Sequence, residues 1–399
     1  MGILLFQKNE VNASVELFQK ALSVNPNFAD AHFNHGIALQ NLRRPLDAIT
    51  SFDRAITLKV NYAQAYYKRG IALSELKRLD EAVTSFDQAI TNKLNYVEAY
   101  SSRGNALKGL KKPIEAIDSF DQAILLNPDD PENYFNLGHL YYGMLSNKNI
   151  KSDVTLMMKI KSLAIYNYEL AVKKQSRYKE IAEFDLAVLK GTQIPAKAPE
   201  KYISALFDEY AFNFDAHLIQ GLQYKGAEIL CQEIKNLISY DLDILDIGCG
   251  TGLMGALLKP HSKTLIGLDL SSEMLKQANA KGIYDKLIQS ELNDYLKSNH
   301  THFDLIVASD VLIYVGELDD TFLYVKKSLR KGAYFCFTVE ESADGDYCLS
   351  SKARYAHSLN YCEDLTKKYD FTVKSIKKAI LRLEDGMPVS GLFLCIKNN

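Results

Sequence analysis

Three glycines in one short stretch are the residues of this 399-residue chain best suited to hold a small molecule. Gly248, Gly250 and Gly252 follow an apolar run of strand character, residues 243–247, and precede a helical pattern that begins at Leu253. Glycine permits a sharp turn and lets a ligand approach the backbone more closely than a Cβ would allow. The start of the next helix offers free N–H groups and a positive dipole end to an electron-rich ligand. The pattern therefore predicts a ligand-binding loop.

An acidic residue follows the loop at the distance expected for a nucleoside ligand. A second strand pattern, residues 264–269, ends in Asp269, about 20 residues after Gly248, where a carboxylate can accept hydrogen bonds from ribose hydroxyls. The fingerprint of nicotinamide dinucleotides is G-x-G-x-x-G, which would require a glycine where Leu253 stands. The residues therefore favour a different nucleoside-containing ligand.

The run 245–252 resembles the first motif of class I S-adenosylmethionine-dependent methyltransferases. The resemblance implies that the three glycines face the amino acid part of S-adenosylmethionine and that Asp269 holds its ribose, with S-adenosylhomocysteine as the product. An inactive Rossmann-like domain with a structural glycine turn is the alternative, and Met274 could equally be a core residue. The cofactor contacts implied are Asp246, Gly248, Cys249, Gly250, Gly252, Asp269, Leu270, Met274, Glu291, Leu292, Asp310 and Tyr210.

The catalytic domain is expected to span residues 201–399 and to form an α/β Rossmann-like fold with a seven-stranded mixed sheet. Further strands are predicted near residues 286–292, 303–312 and 331–340, with a final hairpin formed by residues 374–383 and 391–397.

Catalytic candidates follow the later strands, because the carboxyl ends of parallel strands border the ligand crevice. Asp310 and Glu340 end two of these strands, and His357, in a polar segment after the fifth strand, could accept a proton from a nucleophile. Arg354 could bind a carboxylate or phosphate by two hydrogen bonds. A surface salt bridge or a structural hydrogen bond is the alternative for Arg354 and His357.

The N-terminal half contains an internal repeat of 34 residues. Its glycines are Gly2, Gly36, Gly70, Gly104 and Gly138, and Phe18, Phe52, Phe86 and Phe120 keep the same step. These anchors resemble the tetratricopeptide repeat, a helix-turn-helix unit, and imply an all-α solenoid over residues 1–190 with a concave groove. Repeats are expected near 1–28, 29–62, 63–96, 97–130 and 131–177. The first is clipped at its start, and an insertion near 145–159 in the fifth either extends a helix or forms a surface loop.

The groove of such an array is expected to bind a protein or peptide partner, and the alternative is a scaffold or a dimerisation surface. Family resemblance places Phe33, Ile37, Tyr67, Ile71, Ser101, Asn105, Phe135 and His139 in the groove. Phe33, Tyr67 and Ser101 stand where a lysine would be needed to clamp a C-terminal carboxylate, so that mode of binding is not expected.

The junction begins with a capping helix expected at 178–190, followed by a linker at 191–200 that contains a glycine and two prolines. Residues 206–218 resemble a segment found in a bacterial group of tetratricopeptide-containing methyltransferases, and their aromatic spacing predicts one helix laid over the catalytic domain. The resemblance suggests that Tyr210 and Phe214 pack near the cofactor, although both could be core aromatics.

Composition excludes several other functions. A formal net charge of −2 argues against a general nucleic-acid binder. The six cysteines show no metal-ligand spacing and indicate a reduced, cytoplasmic protein without a metal site. No apolar run approaches the roughly 18 residues of a membrane span, and no targeting signal is recognised.

The sequence therefore predicts an S-adenosylmethionine-dependent methyltransferase that transfers a methyl group by in-line displacement. The repeat array would dock a protein substrate or partner. A small-molecule methyltransferase whose array only mediates assembly, and an inactive interaction protein, are the alternatives. The acceptor is not identified.

Overall fold

The computed structural model of the chain describes residues 11–343 and 345–399. The chain divides into two compact units, one that ends at Ala182 and one that runs from Glu183 to Asn399. Gly2 and the predicted start of the first repeat lie outside the described residues. The division falls inside the predicted capping helix, whereas the sequence-based boundary lies after it, so the domain limits stay a prediction.

The first unit is built from helices that pack in pairs, which confirms the predicted helical repeat array. The helices are α1 Val11–Val24, α2 Ala29–Asn41, α3 Pro45–Leu58, α4 Ala63–Glu75, α5 Leu79–Asn92, α6 Val97–Gly109, α7 Pro113–Leu126, α8 Pro131–Met144, α9 Lys148–Ser152 and α10 Val154–Lys173.

Repeated phenylalanines explain the repeated glycines. Phe52, Phe86 and Phe120 are fully buried, and each ring lies against the glycine of the preceding helix. A Cβ added at Gly70 would lie 2.5 Å from Cε1 of Phe86. The two helices of a repeat therefore approach closely only because the position is glycine.

Aromatic residues expected in the groove also pack within the array. The ring of Phe33 lies 4.9 Å from that of Tyr62, and the ring of Tyr67 lies 5.0 Å from that of Tyr96. The hydroxyl of Tyr62 also donates a hydrogen bond of 2.8 Å to Asp30, which ties α2 to the start of α4. Phe33 and Tyr67 are half-buried, so they present only part of each ring to a partner.

The insertion in the fifth repeat is helical. Its residues form α9 and the first turns of α10, which at 20 residues is longer than the 14-residue helix α7. Tyr168 of α10 is fully buried, and a Cβ at Gly138 would lie 3.0 Å from its Cδ1. The repeat packing therefore resumes after the insertion with a tyrosine in place of the phenylalanine.

The second unit is an α/β fold with a mixed sheet, as predicted. Its strands are β1 Leu242–Ile247, β2 Ser262–Asp269, β3 Lys286–Gln289, β4 Phe303–Ala308, β5 Leu329–Glu341, β6 Tyr347–Leu349, β7 Tyr355–His357, β8 Phe371–Glu384 and β9 Met387–Asn398. Its helices are α12 Glu200–Tyr210, α13 Gly226–Lys235, α14 Leu253–Leu258, α15 Ser272–Ala280, α16 Leu292–Ser298, α17 Asp319–Ser328 and α18 Leu359–Lys368, and helix α11, Lys179–Lys190, precedes them.

The strand order places five parallel strands beside an antiparallel hairpin. The parallel strands run in the order β3-β2-β1-β4-β5, and β9 pairs antiparallel with both β5 and β8. These seven strands confirm the predicted sheet and its final hairpin. The short strands β6 and β7, which the sequence did not indicate, extend the sheet where β7 pairs with the end of β5.

Apolar side chains cover both faces of the central strands. Ile244 and Leu245 in β1, and Leu305 and Ile306 in β4, are fully buried on alternate faces. A strand buried on both faces is typical of a parallel sheet between helices. The loops at the carboxyl ends of these strands are thereby held on a rigid base.

No helix within residues 11–343 and 345–399 is both long and apolar enough to cross a membrane.

Candidate active site

A cavity of about 430 Å³ lies in the second unit at the carboxyl ends of β1, β2 and β4. Its wall includes most residues that the sequence singled out for the cofactor. They are Gly248, Cys249, Gly250, Asp269, Leu270, Met274, Glu291, Leu292, Asp310 and Tyr210. Asp246, Gly252, Glu340 and His357 are not on the wall of this cavity.

The glycine loop after β1 needs glycine for two different reasons. Gly248 has a φ of 64°, and a Cβ there would lie 2.6 Å from Cβ of Val311. Gly250 has a φ of 53°, but the nearest atom to an added Cβ is Cε1 of Phe214, at 3.9 Å. The first glycine is required by packing, whereas the open side of Gly250 faces the cavity. Close approach of a ligand to the backbone is therefore possible at Gly250.

Asp269 ties the glycine loop to the end of β2. Its carboxylate accepts hydrogen bonds from the backbone N–H of Gly250 at 2.8 Å and from that of Ser271 at 2.9 Å. Burial raises the pKa of Asp269 above its usual value, and these backbone hydrogen bonds oppose the shift. The side chain is thus fixed on the cavity wall, where it can accept further hydrogen bonds.

Asp246 lies behind the wall rather than on it. The side chain is buried and accepts a hydrogen bond of 2.6 Å from the hydroxyl of Tyr284, a residue that the sequence did not single out. Burial raises the pKa of Asp246 to about 7. A Cβ added at Gly252 would lie 3.0 Å from Tyr284, so this glycine also makes room for that ring. The geometry gives Asp246 and Gly252 a supporting position, not direct contact with the cavity.

The residues expected near an adenine lie together on another part of the wall. Leu270 and Met274 follow β2, and Met274 is almost fully buried. Glu291 accepts a hydrogen bond from the backbone N–H of Asp294 at 2.9 Å, so it caps helix α16, and its carboxylate lies 3.6 Å from Nζ of Lys197. Glu291 therefore stabilises the local fold as well as lining the cavity.

A broken helical segment covers this side of the cavity, and the prediction of one continuous helix was wrong. Helix α12 ends at Tyr210 and is followed by a 3₁₀ turn at Ala211–Asn213, a single turn at Phe214–Ala216 and a π-helix at His217–Gly221. Phe207 and Tyr210 at the end of α12, and Phe214 after the 3₁₀ turn, all line the cavity.

Two aspartates fasten this covering segment, residues 200–221, to the glycine loop and to α15. Asp208 accepts a hydrogen bond of 2.6 Å from the hydroxyl of Ser271. Asp215 accepts one from the hydroxyl of Thr251 and forms an ion pair of 2.9 Å with Lys281. The covering segment is therefore attached at two separate points beside the cavity.

One end of the cavity is polar, and Asp310 lies there. Asp310 has a φ of 57°, a left-handed conformation that is uncommon for residues other than glycine. Its backbone N–H donates to the hydroxyl of Thr338 at 2.7 Å, and its two carboxylate oxygens lie 3.0 and 3.1 Å from Nη1 of Arg382. A strained residue at a strand end is typical of functional sites.

Arg382 is the main residue that the sequence reading missed. It belongs to β8, lines the cavity and has a side chain only 2% exposed. Burying an arginine in an apolar strand is costly unless acidic partners are present. An arginine within the apolar run 374–383, together with acids at the ends of two strands, was the available signal.

Glu340 and Arg354 are held in ion pairs. Glu340 is buried behind the wall and accepts hydrogen bonds from Nε of Arg354, at 2.8 Å, and from Nη2 of Arg382. Arg354 lies on the wall and also pairs with Glu384. Glu340 is not placed to receive a proton from a molecule in the cavity. Arg354 forms salt bridges, but they lie at the cavity wall and not on the surface as the alternative expected.

His357 is likewise not placed to act as a base in the cavity. Its side chain is fully buried, and Nε2 lies 2.9 Å from the carbonyl oxygen of Gly316. Burial lowers the pKa of His357 to about 4. His357 belongs to β7, which pairs with the end of β5 and places His357 opposite Glu341. We therefore do not assign it a catalytic role.

Among residues 11–343 and 345–399, no group of three or more His, Cys, Asp or Glu side chains could hold a metal ion.

The residues of the cavity fit an adenosine-containing cofactor with an amino acid part. The open side of Gly250 provides the cradle that a Cβ would fill, and the half-buried carboxylate of Asp269 provides acceptors for hydroxyl groups. Apolar side chains such as Leu270 and Met274 offer a surface for a flat ring. A cluster of three aromatic rings also lines the cavity. The ring centroid of Phe207 lies 6.0 Å from that of Phe214 and 5.4 Å from that of Tyr314.

Comparison with known families agrees with this fold and cavity. Residues 245–337 match the family model of a methyltransferase domain. A tetratricopeptide repeat model matches residues 2–42 and 115–144, and a second such model matches residues 33–93. The chain therefore combines tetratricopeptide repeats with a methyltransferase domain, the combination that the sequence predicted.

Individual relatives are similar over part of the chain. The chain is 29% identical over 137 residues to a malonyl-(acyl-carrier protein) O-methyltransferase of Priestia megaterium, covering 33% of this chain and 48% of the relative. It is 27% identical over 115 residues to the mitochondrial ubiquinone biosynthesis O-methyltransferase of Rattus norvegicus, covering 27% of this chain and 33% of that protein. The chain spans about half the length, or less, of these curated relatives.

A solved S-adenosylmethionine-dependent methyltransferase of Methanosarcina mazei is also similar. It is 19% identical, with a TM-score of 0.36, and the match covers 41% of this chain and 96% of that chain. A similarity at this level supports no functional argument.

Proposed function

We propose that the second unit binds S-adenosylmethionine in the cavity and transfers its methyl group to an acceptor. The observation that carries the proposal is the glycine loop, whose open side at Gly250 faces the same cavity as the carboxylate of Asp269. The match of residues 245–337 to a methyltransferase domain supports it.

The proposed cofactor contacts follow from position on the wall. Gly248, Cys249 and Gly250 would hold the amino acid part, and Asp269 would accept hydrogen bonds from the ribose. Leu270, Met274, Glu291 and Leu292 would surround the adenine, with Tyr210 of the covering segment above them. Asp246 would act through Tyr284 by keeping the loop in place.

The chemistry requires little from the protein beyond binding and alignment. When bound, S-adenosylmethionine supplies an activated methyl group on a sulfonium, so that a nucleophile can attack it directly. The residues of this chain would orient the two reactants and exclude water, with the rings of the covering segment closing the apolar side. Asp310, one of the acids on the wall, would accept the proton at its carboxylate, which Arg382 fixes in position.

We further propose that the tetratricopeptide array binds a protein substrate or partner. Support comes from the repeat models and from the exposed side chain of Asn105 among the residues expected in the groove. The proposal includes a cytoplasmic location, which the six free cysteines favour.

A small-molecule acceptor is the second candidate. The names of the relatives refer to an acyl-carrier-protein substrate and to ubiquinone biosynthesis, so related domains include enzymes of small-molecule pathways. In that case the array would serve assembly only.

A labelling experiment separates these candidates. The full chain is incubated with S-adenosylmethionine carrying a labelled methyl group and with a size-fractionated extract of its source cells. We expect label in a discrete protein band, and less of it with Asn105→Arg than with the matched control Asn92→Arg on α5, since both residues are exposed. Label confined to small molecules would reject the docking role, and absence of methyl transfer to any fraction would count against the enzymatic proposal.

A further inference from the structure

Five charged side chains form a continuous series of ion pairs at the polar end of the cavity. In order they are Asp310, Arg382, Glu340, Arg354 and Glu384, which we call the charge chain. Arg382 pairs with Asp310 at 3.0 Å and with Glu340, and Arg354 pairs with Glu340 at 2.8 Å and with Glu384. All members except Glu340 line the cavity.

The charge chain has one more acid than base. Three carboxylates are paired with two guanidinium groups, and both ends of the series, Asp310 and Glu384, are carboxylates on the cavity wall. Lys352 also lines the cavity, but its Nζ lies 2.8 Å from the carboxylate of Asp385. The two guanidinium groups are thus already engaged with acids, and the charge left over at this end is negative.

Neutral hydroxyl groups accompany the charge chain. Tyr202 and Tyr314 line the same cavity. Burial raises the pKa of Tyr202 to about 12 and also raises that of Tyr314, an effect that nearby Asp310 reinforces. Both phenols therefore stay protonated and neutral at neutral pH, so they leave the net charge of the polar end unchanged.

Resting on the proposed methyl transfer, we propose that the acceptor atom belongs to an amine or a hydroxyl group and not to a carboxylate. An N–H or O–H group can donate a hydrogen bond to Asp310 or Glu384, which a carboxylate cannot do. An acceptor carboxylate would instead bring a further negative charge next to acids whose partners are already used, and like charges a few ångströms apart repel by about 1 kcal/mol even in water.

The transfer balances without any additional reactant. A lone pair of the acceptor nitrogen or oxygen forms the new bond to the methyl carbon. The carbon–sulfur bond breaks, and its electron pair goes to sulfur, which yields S-adenosylhomocysteine. The proton of the N–H or O–H group passes to the carboxylate of Asp310 or to water.

Three probes of similar size test the chemical class without knowledge of the natural acceptor. The full chain, saturated with S-adenosylhomocysteine, is titrated with butylamine, butanol and butyrate at pH 7. We expect the first two to bind at least about tenfold more tightly than butyrate, which corresponds to about 1.4 kcal/mol. Equal affinities, equally weak binding of all three, or tighter binding of butyrate would overturn the inference.

A pair of variants tests whether the charge chain is the cause. Glu384→Gln removes one acid from the wall and releases one hydrogen bond of Arg354, so the preference against butyrate should shrink severalfold. Glu233→Gln makes the same charge change at an acid whose partners, Ser375 and Lys377, lie off the cavity wall as it does itself, and should leave the preference as it was. A preference that both variants change equally, or that neither changes, would reject the charge chain as its origin.

The labelled product of the extract experiment gives an independent readout. Methyl esters of carboxylates release methanol in mild alkali, whereas N-methyl groups and methyl ethers do not, and hot hydroiodic acid cleaves only the ethers readily. Alkali-stable label is expected, and its response to hydroiodic acid tells an amine from a hydroxyl acceptor. Alkali-labile label would overturn the inference while leaving methyl transfer itself established. Failure of S-adenosylhomocysteine to bind would instead reject the proposed function.

Discussion

Replacing Asp269 with asparagine changes one charge on the cavity wall and keeps the size of the side chain. In the structure each oxygen of the carboxylate accepts one backbone N–H, from Gly250 or Ser271. A carboxylate oxygen has two lone-pair directions, so one on each oxygen is left for a ribose hydroxyl. Asparagine keeps only one acceptor oxygen and turns an N–H₂ group toward a backbone donor.

The expected cost in cofactor affinity follows from the hydrogen bonds lost. A hydrogen bond to a charged group contributes about 1.5–3 kcal/mol, and the neutral amide retains part of it. We therefore expect S-adenosylmethionine to bind more weakly by about 1–3 kcal/mol, which is a factor of about 5–150 in the dissociation constant.

Isothermal titration of the full chain with S-adenosylmethionine measures this change. Asp285→Asn is a matched control, because Asp285 also accepts a backbone N–H, from Leu265 at 2.8 Å, but does not line the cavity. Thermal unfolding without cofactor shows whether either variant disturbs the fold. An unchanged dissociation constant for Asp269→Asn, in a folded protein, would refute the assignment of this residue to the ribose.

Three further outcomes follow from the packing and the titratable groups. Gly70→Ala would place a Cβ 2.5 Å from Phe86 and should lower the free energy of unfolding by about 1–3 kcal/mol. The control Gly143→Ala, where a Cβ would have no neighbour within 4 Å, should not lower it, and equal melting temperatures of the two variants would contradict this packing argument. Burial lowers the pKa of His357 to about 4, so the neutral imidazole stabilises the fold above pH 6.5, and this stabilisation is lost as the pH falls toward 4, by about 2 kcal/mol at pH 5. Chemical denaturation at several pH values should therefore show a smaller pH dependence in His357→Gln than in the wild type. Asp215→Asn should loosen the covering segment and speed its proteolysis, and S-adenosylhomocysteine should protect it; cleavage at the wild-type rate would argue against this attachment.

Local patterns made the glycine loop and the repeats predictable. Gly248 and Gly250 have φ values of 64° and 53°, which favour glycine, so a few adjacent residues carry the signal. The 34-residue step likewise reflects one glycine and one phenylalanine that meet within each repeat. Both features depend on residues close together in the chain.

Long-range contacts explain what the sequence did not reveal. Arg382 meets Asp310 only because the final hairpin lies beside β5, and the two residues are far apart in the chain. His357, in a polar segment, was a candidate base, but β7 pairs with β5 and the side chain is buried in the interior. The aromatic spacing of the covering segment predicted a helix. The segment is also attached to Ser271 and to Thr251, which lie on two different elements, and the local spacing could not reveal these attachments or the break in the helix.

The most direct test of the central claim is the binding of S-adenosylmethionine to the full chain, measured by isothermal titration beside a nicotinamide dinucleotide. We predict one-to-one binding of S-adenosylmethionine with a dissociation constant in the micromolar range, about −8 kcal/mol, and no comparable binding of the dinucleotide. Absence of S-adenosylmethionine binding by the folded chain, or tighter binding of the dinucleotide, would contradict the assignment of the cavity.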